Sequence, residues 1–212
     1  MSGKGRYLDD IRLPHMLHAY FIRSPHAHAV LRAIHTSDAK KAPGVVAVYT
    51  GDDLNPLCEP FIGAALHRPG HRSPPQPILV QGKALWQGQP VAVILAKSRA
   101  LAEDAAELVE LEWDVFDVAL SQEDSLTSTA VLHEDMGDNL AFDFTITGGD
   151  PDDAFAKADI IIEEEIRLER QSGLTLETRG IIADYNRSDG SLTVWHSHQS
   201  PFQMHGIFSR HL

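Results

Sequence analysis

The run Lys83–Trp113, KALWQGQPVAVILAKSRALAEDAAELVELEW, constrains the fold more than any other stretch of the chain. It holds two apolar, strand-like segments, Ala84–Trp86 and Val91–Ala96, joined around Gly88-Gln89-Pro90. VAVILA carries no polar alternation, which predicts a strand covered on both faces. A helix is expected from about Ser98 to Leu111, with Ser98 as its N-cap. Leu101, Ala105, Leu108 and Val109 share one helical face, while Glu103, Asp104, Glu107 and Glu110 take the opposite, solvated one. The acidic residues also lie near the positive end of the helix dipole. A short strand at Glu112–Val115 closes a strand–helix–strand frame, so the stretch alone defines a mixed α/β domain.

Composition narrows what surrounds that frame. A chain of 212 residues, 43% hydrophobic, can bury a real core in one large domain or two smaller ones. A net charge of −12 argues against nucleic acid or anionic membrane as partner, since both select basic patches. The single cysteine, Cys58, excludes an internal disulfide framework and fits a reducing compartment. No basic neighbour in sequence activates it. The opening MSGKGRYLDD shows no export signal, and no apolar run approaches the ~20 residues of a membrane span. The expectation is a soluble, cytoplasmic protein without membrane insertion.

Along the first half, GRYLDDIRLPHMLH reads as an extended segment with turns. Ala19–Thr36 reads as two strands, or one bent strand, with Pro25 at an edge or bulge. Ser37–Lys41 can form one helical turn capped by Ser37, and Val45–Thr50 is a strand running into a turn or short helix at Gly51–Leu54. Asn55–Pro77 is loop-like, with Pro56, Pro60, Pro69, Pro74, Pro75 and Pro77. A loop of that length is uncommon unless functional or packed on a partner.

The polar run Ser121–Ala130 has no periodicity and is the natural interdomain linker. Beyond it, Phe142, Phe144 and Ile146 alternate with polar residues as in a half-buried strand. Asp150-Pro151 supplies an N-cap and first-turn proline for a helix to about Ala158. Ile160–Ile166 and Gly180–Tyr185 read as strands, and Glu163-Glu164-Glu165 as a solvated part with one inward member. Asn186–Gly190 forms a turn from which Ser191–Gln199 pairs back as a hairpin. Pro201 starts a final helix.

The identity of these residues adds to their pattern. The stretches GRYLDDIRLPHMLH, RSPHAHAVLRAIHTSDAKKAPGVVAVYTGDDL and QGQPVAVILAKSRALAEDAAELVELEW resemble the molybdenum-cofactor-carrying large subunit of the xanthine dehydrogenase, aldehyde oxidase and aerobic carbon monoxide dehydrogenase family. His15 stands where that family commonly has glycine. LHEDMGDNLAFD, GDPDDAFAKAD, LETRGIIADYN and LTVWHSHQSP continue the likeness through the second half. The resemblance implies an α+β fold: a mixed α/β hammerhead domain over residues 1–120, a linker over 121–132, and the start of a second, molybdopterin-binding α+β domain over 133–212. It covers nearly the whole chain but only about the first quarter of a typical family subunit.

The implied activity is oxidation of a small substrate with water as the oxygen source. The implied cofactor is molybdopterin in the complete subunit, with iron–sulfur clusters and FAD on partner subunits. The expected partners are the rest of the molybdenum subunit, an iron–sulfur subunit and an FAD subunit. The family's glycine-rich GGGFG segment and its general-base glutamate are expected beyond Leu212. The chain alone is therefore expected to bind no cofactor and to be inactive. Gln171, in RQSGLTLETRG, aligns with a family glutamine that reaches toward the oxo ligand of molybdenum. A neutral amide suits that place because it can donate a hydrogen bond to a developing oxyanion without adding charge. The bland alternative is an ordinary polar residue at a strand end.

Other candidates weigh toward structural roles. Glu177 and Arg179, two apart, could pair with each other, contact substrate, or satisfy a neighbouring strand. His26/His28 and His196/His198 are i, i+2 pairs that could ligate zinc or copper. Neither has a third ligand at suggestive spacing, which favours structural histidines. No Walker loop, GxGxxG, GxSxG or CxxC occurs. The rival functional class is a non-catalytic assembly or binding subunit that docks on a separate cofactor-bearing chain through the amphipathic Phe202–Leu212 segment.

Overall fold

The computed structural model describes residues 3–63, 70–169 and 171–212. Pro69 of the expected loop, the first two residues of the chain and Arg170 lie outside them. The chain divides into two compact units, one of Arg12–Phe142 with Ser200–Leu212, the other of Met1–Ile11 with Asp143–Gln199.

In the first unit the apolar run forms β5 (Pro90–Ala96), the centre of an antiparallel sheet ordered β1 (His18–Arg23), β5, β3 (Val45–Thr50). β1 runs from His18 opposite Ala96 to Ile22 opposite Ala92, and β3 aligns Val48 with Ile94. As the missing alternation requires, both faces of β5 are covered. Ile94 and Ala96 pack with Val48, Ala102 and Ala105, the last two from α2 (Arg99–Ala106). Val91 packs in a second cluster with Val80, Ala84, Leu31 and Trp113. Burying a side chain such as Ile94 completely stabilises the fold by roughly 1.5–3 kcal/mol.

The second cluster rests on a sheet ordered β4 (Lys83–Ala84), β2 (Ala29–His35), β6 (Glu110–Val115), also antiparallel. β5 and β6, consecutive around α2, thus belong to different sheets. Ser98 caps α2, its hydroxyl accepting the Leu101 N–H at 3.3 Å. The helix ends at Ala106 rather than Leu111. Val109, Leu111, Trp113 and Val115 also fit a period of two, and pairing with β2 resolves the ambiguity in favour of strand. The strand expected over Ala84–Trp86 is likewise displaced to Lys83–Ala84.

Pro25 falls between β1 and β2, where a missing N–H costs no ladder bond. The loop around it is latched to the turn before β5: Ser24 N–H donates to Gln89 O, Gly88 N–H to Ser24 O, and Arg23 Nη1 to Gly88 O. The turn after β2 is a single 3-10 turn, Ala39–Lys41, with Asp38 rather than Ser37 at its N-cap and no side-chain cap bond. The Lys40 N–H donates to Thr36 O at 3.0 Å and the Lys41 N–H to Asp38 O at 3.1 Å. β3 leads into α1 (Gly51–Leu54), closed by a reciprocal cap in which Asp53 accepts both the N–H and the hydroxyl of Thr50. Those two bonds, the backbone one foremost, hold the Asp53 carboxyl below its usual range.

The polar run after Val115 is not wholly irregular. Ser121 caps α3 (Gln122–Thr127), and the Asn139 amide donates to Ser125 O and Ala130 O while accepting the Leu132 N–H. Arg72 clamps the following loop through Met136 O, Asp138 and Leu140 O. The α5 helix (Pro201–His211) joins this unit by its last turn: Glu59 N–H donates to His211 O, and the His211 ring lies 5.8 Å from Phe61.

The second unit contains a 3-10 turn at Leu8–Asp10, α4 (Pro151–Ala156) capped by Asp150, and the hairpin β7 (Ile181–Asn186) with β8 (Ser191–His196). The expected strands over Phe142–Ile146 and Ile160–Ile166 do not form. Phe144, Ile146, Ile160, Ile162 and Ile166 are 52–84% exposed, and the three glutamates Glu163–Glu165 all face solvent. An alternating pattern proposes a strand, but only a hydrogen-bonded neighbour makes one. Among the described residues neither segment is paired into a strand ladder.

Candidate functional site

Gln171 opens the stretch QSGLTLETRG in the second unit. From Gln171 to Leu176 every residue is exposed, Leu174 and Leu176 completely so. Among the described residues, the hydrogen bonds that anchor the stretch lie at its C-terminal end. Thr175 donates its hydroxyl to Glu177 O at 2.6 Å, a local turn that needs no tertiary support. The Glu177 carboxylate accepts the Leu8 N–H at 2.8 Å, rather than pairing within its own strand segment as the Glu177/Arg179 spacing had allowed.

Ser197, just past β8, holds the next residues from the other direction. Its hydroxyl accepts the Gly180 N–H at 2.9 Å and lies 3.0 Å from Thr178 O, to which it donates. Its own N–H donates to Gly180 O at 3.2 Å. Gly180 lets Leu8 approach closely: a Cβ there would sit 2.8 Å from Leu8 Cδ1, and the leucine side chain would have to shift. Ser197 and Leu8 are positioning groups that the sequence reading missed. Their partners lie 17 to 169 positions away, and no local spacing advertises them.

The paired histidines separate into different surroundings. The buried His28 shares a hydrogen bond through Nδ1 with Asp117 O at 3.0 Å and meets Phe116 edge-on, and His26 meets Trp113 edge-on. The rings of His196 and His198 stack at 5.2 Å. Among the described residues, no group of three or more His, Cys, Asp or Glu side chains converges to hold a metal ion.

A metal-bearing organic cofactor needs several donors converging on it and walls that exclude water. Gln171 can supply one amide. An open, solvated stretch with one such group is not a complete cradle, so no catalytic step follows from these residues alone.

Two three-stranded antiparallel sheets with the helices α1, α2, α3 and α5 in the first unit, and α4 with the β7–β8 hairpin in the second, make this an α+β protein of the hammerhead class. Residues 2–117 match the family described as aldehyde oxidase and xanthine dehydrogenase, a/b hammerhead domain, and residues 132–212 match the molybdopterin cofactor-binding domain. The chain belongs to the aldehyde oxidase and xanthine dehydrogenase family. It is 36% identical over 201 residues to the nicotine 6-hydroxylase large subunit of Paenarthrobacter nicotinovorans, covering 95% of this chain and 24% of that protein. It is 35% identical over 222 residues to the carbon monoxide dehydrogenase large chain of Afipia carboxidovorans, covering 98% and 27%. The crystal structure of quinoline 2-oxidoreductase from Pseudomonas putida 86 superposes with a TM-score of 0.87 at 31% identity, covering 93% of this chain and 25% of that one. The chain thus spans about a quarter of the length of these relatives. No helix among the described residues is long and apolar enough to cross a membrane.

Proposed function

We propose that this chain is part of the large subunit of a molybdopterin-dependent oxidoreductase that oxidises a small substrate with water as the oxygen source. The observation that carries this reading is the order of the two family matches, hammerhead then molybdopterin-binding, over almost the entire sequence. In it, residues 1–120 are the hammerhead domain, 121–132 the linker, and 133–212 the opening of the cofactor-binding domain. The bound cofactor supplies the redox chemistry. This chain contributes the Gln171 amide as one neutral hydrogen-bond donor to the cofactor. The electrons leave through partner subunits carrying iron–sulfur clusters and FAD, in the cytoplasm.

The rival is a non-catalytic assembly subunit that presents α5 to a cofactor-bearing chain. Its appeal weakens because the last turn of α5 is engaged with Glu59 and Phe61 of its own unit. Purification from the native cell, with mass and molybdenum content measured together, separates the two. A polypeptide several times larger than 23.4 kDa with about one molybdenum per chain is the expected result. A stable 23.4 kDa product without metal, co-purifying with a separate molybdenum-bearing chain, would overturn the proposal in favour of assembly.

A further inference from the structure

The N-terminal arm and the Gln171 stretch meet through a bond that the activity proposed above does not use. Leu8 opens the 3-10 turn Leu8–Asp10, the position at which a backbone N–H has no partner inside the turn. That N–H goes to Glu177 Oε1 at 2.8 Å, in a partly buried contact that spans 169 positions of sequence. The Leu8 side chain lies over Gly180, close enough that any Cβ there would collide with it. The turn itself is braced locally, with the Tyr7 N–H donating to the Asp10 carboxylate at 2.9 Å. Charge-assisted bonds to a backbone N–H are stronger than neutral ones. On the far side of the same three residues stands Ser197, bonded to Thr178 and Gly180.

We propose that Glu177 is a positioning residue: its carboxylate latches the N-terminal arm at Leu8 over Thr178–Gly180, and the latch fixes the foot of the stretch that carries Gln171. Gln171 to Leu176 have little of their own to hold them, since all six are exposed. Their placement therefore depends on the residues at which the stretch is tied down. The consequence for a cofactor rests on the assignment of Gln171 above. The latch itself does not.

The chain carries its own probes, because trypsin can cut after Arg6, beside the turn, and after Arg179, within the clamped residues. Arg187, in the turn between β7 and β8, serves as internal control. Limited proteolysis read by mass spectrometry should show Glu177→Ala raising cleavage after Arg6 and Arg179 about tenfold, with cleavage after Arg187 unchanged. Glu177→Gln keeps an acceptor oxygen and should return both rates close to wild type. Leu8→Pro removes the donor at a position where proline suits a helical start. It should match Glu177→Ala, and the double variant should add nothing further. Unchanged cleavage at Arg6 and Arg179, or an equal rise at Arg187, would overturn the latch.

In the complete molybdenum-containing subunit, Glu177→Ala and Gln171→Ala should both lower the metal retained through gel filtration, with Glu177→Gln restoring it. If the proteolysis pattern holds and metal retention ignores both substitutions, the assignment of Gln171 fails and the latch stands as a structural contact without a positioning role.

Discussion

The side-chain oxygen of Gln89 accepts the Leu85 N–H at 2.8 Å from a position only 1% exposed. Its backbone carbonyl simultaneously takes the Ser24 N–H at 2.9 Å. One residue thus closes the turn that opens β5 and fastens the β1–β2 loop to it. Gln89→Ala should leave the Leu85 amide without its acceptor and open a void, lowering stability by about 1–3 kcal/mol. Urea unfolding is the measurement, and a midpoint within error of wild type would refute this role.

Among the described residues, His15 is the non-glycine residue with a left-handed backbone, at φ 59°. A Cβ in that conformation crowds the neighbouring carbonyl, which costs roughly 1–2 kcal/mol. Glycine escapes the crowding but is more mobile when unfolded. His15→Gly should therefore stabilise the chain modestly, by about 0.5–1 kcal/mol after that offset. A higher urea midpoint at unchanged slope is expected. A lower midpoint would mean that the imidazole makes a contact worth more than the strain.

Burial, with a smaller contribution from Lys83, pushes His133 below the ordinary imidazole value, and Asp135 opposes the shift. The sign follows from linkage. The unfolded chain takes up a proton at about pH 6.5, before the folded chain does, so this group favours folding fully above that value. Its contribution is lost as pH falls through the folded value. Nuclear magnetic resonance titration should place the His133 midpoint below 6.5, and Asp135→Asn should lower it further. His133→Gln should flatten the fall in urea midpoint between neutral pH and about pH 5. An unshifted midpoint, or one raised by Asp135→Asn, would contradict the balance of causes.

Much of the first unit was legible because its strong patterns are also its tertiary solution. VAVILA has no polar position, so any fold that buries it must cover both faces. Ser98 and Asp150 announce helix starts by local chemistry that needs no distant partner. At His15, where the resemblance implied glycine, the backbone takes the positive φ that glycine adopts most easily.

Where one apolar set satisfied two periods, as over Leu108–Val115, the sequence left helix and strand undecided until β2 supplied a ladder. Where a period of two was clear, as at Phe142, Phe144 and Ile146, no strand formed among the described residues. Gln171 entered by resemblance alone, and it stands exposed in the structure.

The sequence by itself determined the family, the α+β class, the two caps and the doubly covered strand, because each depends on residue identity or on contacts within a few positions. Tertiary structure alone decided that β5 and β6 enter different sheets and that Glu177 holds Leu8. It also decided that Gln89 serves as a buried brace. Those outcomes depend on which donors and acceptors come together across long stretches of chain, and the entropy of closing such loops is repaid only when the whole set of contacts forms at once.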